Sequence, residues 1–299
     1  MDIKDVVIFK NACLSRADQE TIKSFPPIRY KLMLEENISI EKLPRDLSES
    51  IFSCCEPKGL SNAVRQYAQL YSFVRYNAPA SPPLHWDSDE RLQICMALSR
   101  LIYPTTISFE YSARISYEED EIHDIIPGPV SGFGAHAYVT RENSRNWLTE
   151  AEGQETAALL SAYSRASLPE RIRQALWYLE YAFRTHFMDV RWPLICMGFE
   201  SLIHTDRYRS TKQFSFRVEK LALEVGKSDF PEQEADEAYT MRSKLVHGKL
   251  IRDMEDYKLE IYEALEDILR SVLKKAILYS SFADIFSSDA TIRNKWPIE

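Results

Sequence analysis

The chain has few cysteines, no long apolar run and no excess of positive charge, and each shortage excludes something. Its five cysteines, Cys13, Cys54, Cys55, Cys95 and Cys196, are odd in number and show no C-x-x-C spacing. That excludes a disulfide framework and a zinc ribbon, and predicts reduced thiols in a cytoplasm. No stretch approaches the about 18 apolar residues that a membrane span needs. The opening Met-Asp-Ile-Lys-Asp lacks the apolar core of a secretory signal. The net charge is −8, which argues against broad, non-specific nucleic-acid binding. The deficit is uneven: residues 1–167 hold 17 Lys+Arg against 23 Asp+Glu, and the remainder hold 20 against 22. A nucleic-acid site must therefore be a local basic patch. The pattern H-x3-H is also missing, so His186, His204 and His247 do not read as zinc ligands.

What is present begins with size. At 299 residues, 45% hydrophobic and 27% charged, the chain can hold two domains, each with its own core. The first part is mixed. Val6–Phe9 reads as a short strand, and Pro26-Pro27 breaks the chain before Arg29–Leu34. Cys54-Cys55 followed by Pro57 and Gly59 marks a loop. The spacing then predicts helices over Leu60–Val74 and Asp89–Tyr103. Next, Ile107, Phe109, Tyr111, Ala113, Ile115 and Tyr117 alternate with mostly polar residues, a strand period. The run Glu118-Glu119-Asp120-Glu121 and Pro127-Gly128-Pro129 read as one loop, with Phe133–Val139 pairing back across it as a hairpin. The acidic run lacks the spaced ligands of a calcium loop and reads as solvated. Thr149-Glu-Ala-Glu152 and Ser167-Leu-Pro-Glu170 both have capping-box spacing, with a domain boundary near Arg165.

From there the pattern is helical only. Ile172, Ala175, Leu176, Leu179, Ala182, Phe183 and His186 line a first helix. Helices follow over about Trp192–His204, Gln213–Val225, Glu232–His247 and Glu255–Phe282. In the last, Tyr262, Leu265, Leu269, Val272, Ala276, Tyr279 and Ala283 form a heptad seam, suited to bundle core or to a dimer. The expected fold is mainly α: an N-terminal mixed α+β domain over residues 1–165, then a helical bundle over 166–299.

One stretch stands out chemically: Tyr239-Thr-Met-Arg242-Ser-Lys-Leu-Val-His247-Gly248. Only here does an Arg precede a His by five positions. Gly248 can take positive φ and stop the helix, leaving His247 in its last turn. Five residues advance a helix by about 500°, which sets Arg242 and His247 about 140° apart. One straight helix does not aim both at one small ligand. An unwound helix end, or two copies about a two-fold axis, can. A second basic cluster, Arg207-Tyr208-Arg209 with Lys212 and Arg217, interleaves an aromatic with cations as single-strand binders do.

The C-terminal part resembles a HEPN domain, especially the Apea-like branch. Arg171–Ala182 looks like that branch's first helix. Trp192–Ile203 looks like its second, with Glu200 at the family's acidic position, and Tyr239–Gly248 looks like its Y-x-x-R-S-x-x-x-H-G ending. The likeness covers about residues 168–285. It implies a HEPN-type bundle and a metal-independent endoribonuclease that needs no cofactor, with RNA as substrate and a homodimer joining two R-x4-H motifs. His247 would move protons, Arg242 would hold the phosphate, Ser243 would position either, and Glu200 would orient the Arg or His. Many family members carry Asn, Asp or His where this chain has Ser243. The resemblance also implies a setting in phage defence or a toxin–antitoxin pair, with an antitoxin or sensor as partner. Its alternative is a non-catalytic nucleotide- or RNA-binding module.

Overall fold

The structure is a computed structural model. It describes residues 2–11, 32–35, 37–42, 47, 50, 53, 71–75, 87–105, 107–119, 121–127, 148–205, 208–254 and 257–298. The described residues are mainly helical, with one sheet. The chain divides into two compact units: one drawn from residues up to Leu160, the other from Ser161 onward together with Arg100–Ile102.

The first unit carries six antiparallel strands in the order β2-β3-β4-β1-β5-β6. They span Asp2–Asn11 (β1), Leu32–Glu35 (β2), Ile38–Lys42 (β3), Tyr71–Arg75 (β4), Ile107–Glu118 (β5) and Glu121–Pro127 (β6). β1 is central, paired with β4 on one side and β5 on the other. The strands expected at Val6–Phe9 and from Ile107 are present. Two expectations change. The helix expected over Leu60–Val74 does not reach Val74, because Tyr71-Ser-Phe-Val-Arg75 is a strand laddered to both β1 and β3. Aromatic and β-branched residues alternating over five positions suit a pleated surface better than a helix; residues 61–70 lie outside the described set. The hairpin from β5 also turns earlier than expected. Its return strand is β6, paired Glu118 to Glu121, and Glu119 takes φ +50° to close the turn. Residues 133–139 lie outside the described set. Helix α1 (Asp87–Ile102) matches the expected Asp89–Tyr103, and Ile94–Leu101 is buried without a break.

Helix α2 (Glu150–Arg165) opens on the expected capping box. The Thr149 N–H donates to Glu152 Oε2 at 2.7 Å, and the Glu152 N–H donates to Thr149 Oγ1 at 3.3 Å. The second capping box does not form. Helix α3 (Glu170–Arg184) starts after an extended Pro169 (φ −51°, ψ 142°) and has no side-chain cap. Leu168 precedes a proline, which disfavours the helical region there, so the helix cannot begin at Leu168.

The second unit packs α3 with α4 (Met188–Leu202), α5 (Ser210–Glu224), α6 (Glu232–Val246) and α7 (Leu259–Leu278). Ile172, Ala175, Leu176, Leu179, Ala182 and Phe183 are all buried, as the period predicts; His186 lies beyond the helix end and is exposed. α7 touches α3, α4, α5 and α6. Its seam residues Tyr262, Leu265, Leu269, Val272 and Ala276 are buried, so that seam is bundle core. The helix stops short of the expected Phe282: Tyr279 is extended (φ −126°) and exposed. After the turn comes α8 (Ser280–Ala283), where Phe282 meets Phe286 edge-to-face and Phe286 meets Trp296 at a tilt, the last just after α9 (Asp289–Lys295). Cys95 and Cys196 are fully buried. Among the described residues no helix is long and apolar enough to cross a membrane.

Candidate functional site

The site is built where α4 meets α6. Trp192, Cys196 and Glu200 recur every fourth residue, so they share one face of α4. Opposite, Ala235 and Ala238 are small and fully buried, which lets the two backbones approach. Trp192 Nε1 donates to the Ala238 carbonyl at 3.0 Å and fixes the register. One turn beyond Ala238 comes Arg242, and two turns beyond Trp192 comes Glu200. They meet: Arg242 Nη2 donates to Glu200 Oε2 at 3.1 Å.

The pair is only partly covered, with side chains 26% and 21% exposed. Tyr239, three residues before Arg242, places its ring 5.5 Å from the guanidinium carbon, within cation–π range. That ring is itself held against Phe214, with centroids 4.6 Å apart. Burial first, and then Glu200's charge, push the Tyr239 pKa above the usual phenol value, against an opposing effect of Ser210. Arg242 Nε is buried with no acceptor among the described residues. The guanidinium is thus oriented from two sides, and what a ligand can reach is the exposed part of the side chain, not the buried Nε. Cys196 lies beneath. Burial above all, and then Glu200, raise its pKa, which keeps the thiol protonated and unsuited to nucleophilic attack.

The helix end is a complete Schellman motif. Gly248 takes φ +89°. Its N–H donates to the Leu245 carbonyl at 3.0 Å, and the Lys249 N–H donates to the Lys244 carbonyl at 3.1 Å. His247 is the C-cap, its N–H bonded to the Ser243 carbonyl. The His247 side chain is exposed and has no hydrogen-bond or ion-pair partner among the described residues. The Ser243 hydroxyl likewise has none, and the residue is half-buried.

Of the four residues expected at the centre, the fold brings Glu200 and Arg242 together. It leaves Ser243 and His247 one to five positions further along the same helix, unbonded to either. Tyr239 heads the stretch that stands out in the sequence, but its place against the guanidinium is seen in the fold. The Tyr-x-x-Arg spacing puts its ring beside the guanidinium one turn later. In the basic cluster, Tyr208, Arg209 and Lys212 are exposed, and Arg207 lies outside the described residues. Arg217 is buried, and its guanidinium donates to the His204 carbonyl. It faces inward because its place on α5 lies one residue before the core residue Val218. Among the described residues no three His, Cys, Asp or Glu side chains gather as a metal site.

Comparison of the chain with protein-family models, with curated proteins and with solved structures gives no match.

Proposed function

We propose that this protein is a metal-independent endoribonuclease of HEPN type, acting as a homodimer in which the Arg242–Glu200 pair of one copy works beside His247 of the other. The observation that carries the reading is the contrast along ten residues of α6. The guanidinium is held by Glu200 and Tyr239 with part of its side chain in solvent, while the imidazole is exposed with no partner among the described residues. A fixed cation suits a phosphate that gains charge, because forked donors match its oxygens. An exposed imidazole suits proton transfer, because one ring nitrogen can accept a proton while the other donates.

RNA supplies its own nucleophile. His247 takes the proton from a 2′-OH, the O2′–P bond forms, the P–O5′ bond breaks, and the resulting imidazolium returns a proton to the leaving O5′. The products are a 2′,3′-cyclic phosphate and a 5′-OH, with no oxidation or reduction. Arg242 neutralises the phosphorane, Glu200 and Tyr239 hold Arg242, and Ser243, next to Arg242 in the chain, contacts the same phosphate.

The surface around His247 suits a second copy. Phe187, Val190, Val246 and Leu250 are exposed. The Ile251 N–H donates to Asp189 Oδ1 at 2.6 Å, which ties the segment after α6 to the start of α4 and draws these four residues into one region. The roughly 140° between Arg242 and His247 within one helix supports completion by a partner. The same separation favours a second reading if the protein stays monomeric: a non-catalytic module that binds RNA or a nucleotide. A role in phage defence or as a toxin restrained by an antitoxin belongs with the nuclease reading.

The test is cleavage of structured RNA in EDTA by the wild type, Arg242→Ala and His247→Ala. Cleavage by the wild type, absent from both variants, supports the nuclease. Binding without cleavage by any of the three supports the module. Equal cleavage by all three removes the site.

A further inference from the structure

We propose that a cavity at the N-terminus of α5 binds one nucleotide of an RNA strand, gripping its phosphate and stacking its base. This rests on the nuclease reading for the identity of the strand but not for the chemistry of the cavity. The cavity has a volume of about 390 Å³ and is lined by Tyr208, Arg209, Gln213, Arg217 and Arg293, with Pro297 and Ile298 at its edge. That volume lies within the about 300–1,000 Å³ of small-ligand sites.

Three of its lining residues are arginines, and none is Asp or Glu. The carboxylate of Asp289, near Arg293, is engaged elsewhere, by Arg171 and by His204 Nδ1 at 3.1 Å. Arg217 is buried, so part of the positive charge is built into the wall. Arg209 and Arg293 are exposed and come from segments more than 80 residues apart, which makes the convergence a property of the fold and not of one charged run.

The backbone adds to this. α5 is 15 residues long and has no side-chain cap; Arg209, its N-cap, takes φ 60°. Its first-turn N–H groups and its dipole favour an anion at that end. Tyr208 stands beside it with 83% of its surface exposed, and its carbonyl accepts from Gln213 Nε2 at 2.7 Å, which fixes the loop. An exposed ring on an anchored loop next to guanidinium groups is the arrangement that stacks a base and holds the adjoining phosphate.

The cavity is also coupled to the Arg242 centre. The Tyr239 ring packs on Phe214, in the first turns of α5, and lies beside Arg242. In this proposal a strand held at both places sets its scissile phosphate on Arg242 and a neighbouring nucleotide in the cavity. The cavity would hold a flanking nucleotide and set cleavage preference.

The experiment uses the full chain and a fluorescein-labelled, 2′-O-methyl single-stranded RNA, which binds but cannot be cleaved. Fluorescence anisotropy across a salt series compares the wild type with Arg293→Gln and Tyr208→Ala, both exposed positions whose folding is checked by thermal melt. Arg293→Gln is expected to weaken binding and flatten the salt slope by about 1. Tyr208→Ala is expected to weaken binding about tenfold with the slope unchanged. Arg242→Ala retains the Tyr208 effect. Unchanged affinity in both Arg293→Gln and Tyr208→Ala overturns the proposal. Uridine 5′-monophosphate binding that depends on both residues, with no RNA binding, overturns RNA as the source. If the wild type binds through these residues yet cleaves no RNA, the nuclease reading fails and the cavity stands. Cleavage with binding insensitive to both variants gives the reverse.

Discussion

Two Arg–Glu pairs in the same bundle differ in one respect that separates structure from chemistry. Arg191 and Glu266 join α4 to α7 at 3.6 Å, with side chains 3% and 2% exposed. Arg191 Nε donates to the Tyr262 hydroxyl at 3.2 Å, and burial, then Glu266, push that phenol's pKa up. Arg242 and Glu200 join α6 to α4 at 3.1 Å but keep about a quarter of their surface in solvent. The first pair has no route to a substrate, so its charges serve only the packing around them. The second contributes little to folding, because water screens it. What it achieves is to hold a guanidinium still where a ligand can reach it.

That comparison can be broken or sharpened by substitution, beginning with the largest effect. Glu266→Ala leaves Arg191 charged and enclosed, and is expected to cost about 3–5 kcal/mol in urea unfolding. Trp192→Ala removes a buried ring that contacts Tyr262 and hydrogen-bonds α6. A similar loss of about 3–5 kcal/mol is expected in the same assay, with Glu200 and Arg242 slipping out of register. Gly248→Ala meets no atom within 4 Å, so its cost is the backbone's alone at φ +89°, about 1–2 kcal/mol. Arg242→Ala should change stability by no more than about 1 kcal/mol while abolishing RNA cleavage. A large destabilisation there would put Arg242 in the same class as Arg191.

The smallest effect is set by pH. Glu224 accepts hydrogen bonds from Lys295 and Lys275, which hold its carboxyl below the ordinary value against an opposing effect of burial. A carboxylate with a depressed folded-state pKa adds stability above its unfolded pKa and loses it as pH falls through the folded one. Lys295→Ala should therefore lower the melting temperature slightly at neutral pH, and the difference should close below the ordinary glutamate range. A difference that persists in acid would assign Lys295 a packing role instead.

Much of the second unit was legible in the sequence, because 3.6-residue periodicity reports which face is buried. Ile172 through Phe183 and Tyr262 through Ala276 lie inside as their spacing says. The C-terminal stop at Gly248 was legible too, since only glycine takes that φ cheaply. The first unit was less so. Tyr71–Arg75 followed a run of helical spacing, and only its partners β1 and β3 decide its state. Pro169 overrode a good capping motif through its effect on the residue before it. At the site, the meeting of Glu200 with Arg242 depends on the Trp192–Ala238 register, a tertiary fact. The convergence of Arg293 with Arg209 across more than 80 residues left no local signal.

The most direct measurement is RNA cleavage in EDTA by Arg242→Ala alone, His247→Ala alone, and the two mixed under conditions that allow subunit exchange. The composite site predicts that neither variant cleaves by itself. In the mixture some dimers regain one intact Arg242–His247 combination, so cleavage returns in part with 2′,3′-cyclic phosphate ends. A mixture as inactive as either variant, beside an active wild type, would contradict a site shared between two copies.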